Sequence, residues 1–113
     1  MLNVTNQTAP SIAPAHTHLL AELERIRQVL DVLPLPDDTA ATAHREIGEA
    51  EVALLEAEPD RRRITGCLER LALALAASGA LDHAGQALST PLEALADWLG
   101  ESGQSIRDLA GPR

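Results

Sequence analysis

Residues 19–33 read LLAELERIRQVLDVL, and their spacing decides the fold. Leu19, Leu23, Ile26, Leu30 and Leu33 recur at alternating steps of four and three, which sets them on one face of an α-helix. The rhythm returns at Ile47, Ala50, Leu54 and Ala57, then at Ile64, Cys67/Leu68, Leu71, Leu75 and Ser78. A last set follows at Leu92, Leu95, Ala96 and Leu99. Each set is an apolar stripe that must bury against another. Strand-type alternation is missing, so the pattern predicts an all-α fold. The expected form is a small antiparallel helical bundle of three long helices plus a broken C-terminal helix.

The breaks between stripes place the boundaries. Residues 1–14 are uncharged and aperiodic and read as a flexible N-terminal tail. The first helix is expected from Ala15–Thr17 to about Val32, with Glu22, Glu24, Arg25, Arg27, Gln28 and Asp31 on its wet face. Leu33-Pro34-Leu35-Pro36 stops it, because proline donates no hydrogen bond and disfavours the α conformation before it. Asp37 and Asp38 offer N-cap oxygens to a second helix, about Asp38 to Glu58. Its stripe is rich in alanine, which lets a neighbouring helix approach closely. Gly48 costs about 1 kcal/mol against alanine there and predicts a tight contact or a bend. Pro59 suits the first position of a third helix, which ends near Ser78 with Gly79 beyond it. Asp82 opens a short segment to about Leu88. Thr90-Pro91-Leu92-Glu93 has the form of a capping box and starts a last helix that runs to Leu99 and stops at Gly100. One bundle domain thus spans residues 15–100, and residues 101–113 read as a flexible C-terminal tail.

Composition narrows the function. The chain has 113 residues, enough for a single domain, and Trp98 is its only aromatic. The formal net charge is −8 and all basic residues are arginine, which disfavours general nucleic-acid binding. Alanine and arginine without lysine fit a GC-rich bacterial source. The lone cysteine, Cys67, excludes an internal disulfide. The N-terminus shows no basic segment followed by an apolar one, and the two sequons at Asn3 and Asn6 read as chance, so a cytoplasmic location is expected. The richest apolar run, Leu71 to Leu81, is far shorter than the roughly 20 residues a membrane span needs.

Few side chains invite chemistry. His16 and His18 stand two apart and point to different helix faces, and neither His44 nor His83 has ligands spaced to join them, so no metal site is expected. Cys67 sits on an apolar stripe and reads as a buried structural thiol. Glu46, Glu49, Glu51, Glu56 and Glu58 read as a solvated acidic face. No phosphate loop or nucleophile elbow occurs, so neither a cofactor nor a catalytic residue is assigned. Arg61, Arg62 and Arg63 oppose the dipole of the third helix. They contact an anion or an acidic partner, or else pair with the acidic second helix across the bend. Leu35, held between prolines, and Trp98, one step off its stripe, are the remaining candidates for a partner interface.

Residues 20–100 resemble a family of small helical actinobacterial domains, mostly of unassigned function. The residues that carry the likeness are Val32-Leu33-Pro34-Leu35-Pro36, Glu58-Pro59-Asp60-Arg61-Arg62-Arg63-Ile64, Ser78-Gly79-Ala80-Leu81 and the stretch from Leu88 to Gly100. Similar helical tails accompany bacterial conflict-system (effector-associated) proteins as interaction modules. Residues 20–33 and 38–47 are also similar to the helical docking segments of modular polyketide synthases, which dimerise through paired helices. The resemblance implies a non-enzymatic protein–protein interaction module. The alanine-rich second helix adds the expectation of a homodimer. The alternative is a small acidic regulator, antitoxin-like or a mimic, whose acidic second helix would hold a basic protein partner. A small-molecule binder ranks below both, since an aliphatic core offers few polar groups for specificity.

Overall fold

The stripe at 19–33 folds as its spacing requires: Leu19, Leu23, Ile26 and Leu30 are buried and Leu33 packs half-buried against them. The computed structural model describes residues 14–110, and the expected N-terminal tail lies outside them except for Pro14, which opens the first helix. The described chain is all-α. The elements are α1 (Pro14–Val32), α2 (Asp37–Leu55), α3 (Arg61–Ala77), α4 (Ala80–Ala84), α5 (Gln86–Leu99), a 3₁₀ turn (Gly100–Gly103) and α6 (Gln104–Ala110). Helix α1 packs on α2 and α5, α2 packs on α3, and α6 lies against both α3 and α5. Arg63 reaches Glu49 of α2 and Glu56 just past its end, whereas Arg70, two turns further along α3, reaches Glu46. Helices α2 and α3 therefore run in opposite directions.

The helix starts differ from those expected, for local reasons. The side chains of Asp37 and Asp38 cap nothing by hydrogen bond; α2 follows Pro36 directly, and the two carboxylates sit in its first turn, where their charge suits the helix dipole. Helix α2 ends at Leu55 rather than Glu58. Pro59 is not the first residue of α3. Asp60 is its N-cap, accepting hydrogen bonds from the backbone N–H groups of Arg62 and Arg63 at 3.0 and 3.2 Å. Gly48 meets no close neighbour: a Cβ added there would find nothing within 4 Å.

The C-terminal third departs most from expectation. Helix α4 starts after Gly79 (φ +80°) instead of at Asp82, and Gly85 (φ +58°) separates it from α5. Helix α5 begins at Gln86 and runs through Pro91, so the Thr90–Glu93 capping box goes unused. Leu88 explains why. It lies on one stripe with Leu92, Leu95 and Leu99, and all four are buried. Burying a leucine contributes about 1.5–3 kcal/mol, comparable to the cost of an interior proline of about 3 kcal/mol. The expected flexible tail after Gly100 is helical from Gly100 through Ala110, and its Ile106 and Ala110 are buried in the core. Arg107 locks it in place: its guanidinium donates to the carbonyls of Ala96 and Gly100 at the open end of α5 and pairs with Asp97 at 3.1 Å.

Candidate functional site

The most extensive helix contact, α2 on α3, holds an ionic cluster around one buried carboxylate. Ala43, Ala50 and Ala53 of α2 are fully buried with Cys67 of α3. Glu46 shares this edge of the stripe, and its side chain is only 5% exposed. It was expected on a solvated face, yet its position three residues past Ala43 and four before Ala50 puts it beside the core. Arg70 Nε pairs with it at 3.1 Å and Arg45 at 3.5 Å, while Glu46 Oε1 is buried without a hydrogen-bond partner. The hydrogen bond to Glu46 holds the Arg70 guanidinium charged. Cys67 lies under Arg70 Nη2 at 3.7 Å. Burial, and then the Glu46 carboxylate, push its thiol above the usual range, so it is held neutral and is a poor nucleophile. Glu22 was missed in the same way. It is buried at the edge of the α1 stripe, between His18 at 3.3 Å and Arg25 at 3.0 Å.

The arginine triplet divides into three roles. Arg63 pairs with Glu49 at 3.0 Å and Glu56 at 3.4 Å, and these carboxylates, Glu49 first, hold it charged. Arg61 crosses to the end of α5, where its guanidinium lies 4.3 Å from the centre of the Trp98 ring and donates to the Trp98 carbonyl at 2.8 Å. Arg62 projects into solvent, with its backbone N–H on Asp60. Trp98 is half-buried against the core. Together these residues close the end of the bundle where α3 begins and α5 ends. On α2 itself, Glu46 and Glu49 pair with arginines of α3, as does Glu56 just past its end, and Glu51 pairs with Arg27 of α1. Three of the glutamates of α2 are thus paired within the chain, while Asp37 and Asp38 sit in its first turn.

Leu35 stands at the opposite end of the molecule. With Leu33 and Pro34 it forms one wall of a half-open cavity of about 180 Å³, facing Ser78–Ala80 and His83. The turn is held by a hydrogen bond from Leu35 N–H to the Leu33 carbonyl at 2.9 Å. The adjacent Val32 is 80% exposed. Leu35 and the triplet with Trp98 therefore belong to two separate surfaces.

A third surface was not singled out by the apolar rhythm. Gly48, Val52 and Leu55 lie at steps of four and three on the outer face of α2, with Val52 and Leu55 53% and 56% exposed. The buried face of α2, rich in alanine, is already filled by α3. The signal for the outer stripe was available in the interval from Gly48 to Leu55, but the stronger stripe through Ile47 and Leu54 masked it.

No group of three or more potential metal ligands converges among the described residues. No described helix is long and apolar enough to cross a membrane. No protein-family model, curated protein or solved structure matches the chain.

Proposed function

We propose that this protein is a non-enzymatic helical interaction module that self-associates as a homodimer through the outer face of α2. One observation carries the reading: Gly48, Val52 and Leu55 make an exposed apolar stripe with open space above the glycine. A glycine at one end of such a stripe lets a second helix come close there, and a symmetric pair of α2 helices would cover both stripes at once. In this reading the three long helices and the broken C-terminal segment act as one antiparallel scaffold. The lone cysteine supports a cytoplasmic location, and the resemblance to helical actinobacterial domains supports an actinobacterial source and action by contact rather than by chemistry.

The alternative, an acidic regulator holding a basic partner on α2, draws less support, because Glu46, Glu49 and Glu51 already pair with arginines of the same chain. Light scattering after size exclusion, over a micromolar concentration series, tests the main reading. A dimer is expected for the native chain, and a monomer for Val52→Glu combined with Leu55→Glu, with helicity retained. A native monomer across the series, or a dimer indifferent to both substitutions, removes it.

A further inference from the structure

Helix α6 is thinly anchored. A seven-residue helix is not stable by itself in water, so α6 is helical because it is docked against α3 and α5. Of its side chains only those of Ile106 and Ala110 are buried. The polar bonds that hold it lie at the rim. Ser105 donates to Glu69 of α3, and Arg107 pairs with Asp97, itself 73% exposed, and donates to the Ala96 and Gly100 carbonyls. The chain turns into the cleft between α3 and α5 at one residue, Gly100 (φ +67°, ψ −129°), a conformation that favours glycine. Gly103 then passes so close to the Ala96 backbone that a Cβ would overlap it. The cleft therefore selects a glycine, an aliphatic residue three positions on and a small residue four further. Gly103, Ile106 and Ala110 meet that demand, and no other glycine of the sequence starts such a pattern.

We propose that α6 is a strap that opens by pivoting at Gly100 and is exchanged between two copies of the chain. Opening gives up two buried apolar side chains and the rim bonds, while the stripes of α1, α2, α3 and α5 stay packed against one another. It is therefore a local event that precedes global unfolding. The occupant of the vacated cleft is the one the structure displays, the segment 103–110, now supplied by a second copy, which makes every contact again. Arg107 of that copy closes the carbonyl end of α5 in the same way. The exchange builds no new interface, and it is separate from self-association through Val52 and Leu55 of α2.

Cysteine trapping on the full chain, in a Cys67→Ala background, tests it. Chains carrying Ser105→Cys are mixed with size-tagged chains carrying Glu69→Cys in a glutathione redox buffer. Each chain then has one thiol, so the 69–105 disulfide forms only where α6 of one copy reaches α3 of the other. The covalent heterodimer is expected at least about ten-fold above a control mixture of Ser105→Cys with Arg25→Cys. Arg107→Ala should speed its formation about five- to thirty-fold and leave the final yield unchanged, because the closed and exchanged forms lose the same bonds. Leu23→Ala weakens the core at α1 without loosening the strap and should not speed it. The proposal fails if the heterodimer stays at the control level or if Arg107→Ala leaves the rate unchanged. It also fails if Leu23→Ala raises the rate as much as Arg107→Ala does, which would assign the exchange to global unfolding. The mixture is repeated with Val52→Glu and Leu55→Glu in both chains. A heterodimer retained there is exchange of the strap; one lost there overturns the proposal and assigns the proximity to pairing through α2. Pairing through α2 is read by molar mass, so either proposal can fail without the other.

Discussion

Raising the pH from about 8.5 to about 9.5 is expected to weaken this fold through one thiol. The native environment of Cys67 keeps it protonated, by burial first and by the Glu46 carboxylate second, with Arg70 opposing more weakly. In the unfolded chain the thiol ionises near pH 8.5. Above that pH the unfolded state releases a proton that the native state retains, so stability present below pH ~8.5 is lost as pH rises toward the native pKa. The loss per pH unit stays below the single-proton limit of about 1.4 kcal/mol and ends once pH passes the raised native pKa. The chain has no tyrosine and no lysine, so no other side chain titrates in this range. Urea unfolding followed by Trp98 fluorescence and by circular dichroism measures the effect as a falling midpoint. In Cys67→Ala the baseline stability is lower but the alkaline slope disappears. Parallel pH curves for the native chain and the variant would refute the account of the buried thiol.

Other perturbations follow from the packing. Gly48→Ala should raise the monomer's stability by about 0.8–1.0 kcal/mol, since the new Cβ meets nothing, and raise Tm by about 5 °C at low protein concentration. Gly103→Ala should do the opposite, because its Cβ would stand 2.3 Å from the Ala96 carbonyl oxygen; a Tm at or above the native value contradicts this packing. Arg107→Ala removes the donor that closes the end of α5 and should cost about 1–2 kcal/mol, with faster hydrogen exchange across residues 96–110. Arg61→Ala uncovers Trp98 and should shift its emission to the red with a loss of about 0.5–1 kcal/mol; unchanged emission contradicts the stacking.

The sequence by itself determined the helices that carry an unbroken apolar rhythm. In α1, α2 and α3 the leucines and isoleucines of the predicted stripes are buried or half-buried, because helical periodicity and burial are the same constraint seen twice. Ala57, expected on the second stripe, instead lies past the end of α2 and is exposed. Gly79 and Gly100 were legible as stops, since each adopts a positive φ that other residues resist. Only the tertiary structure decided where burial overrode a local signal. Leu88 drew α5 back through Pro91 against a well-formed capping box, and Ile106 drew a polar segment into a helix that Arg107 fastens. The same holds for Glu22 and Glu46, whose charge reads as solvent-facing until neighbouring helices cover them. The three candidate surfaces were decided at this level too. Leu35 and the Arg61–Arg63 triplet are more than 25 positions apart in sequence, and only the packing shows that one lines a cavity beside Ser78–Ala80 while the other closes the far end. Periodicity records which face of a helix is apolar, whereas the neighbour that covers that face is chosen by long-range packing, which no local interval of sequence encodes.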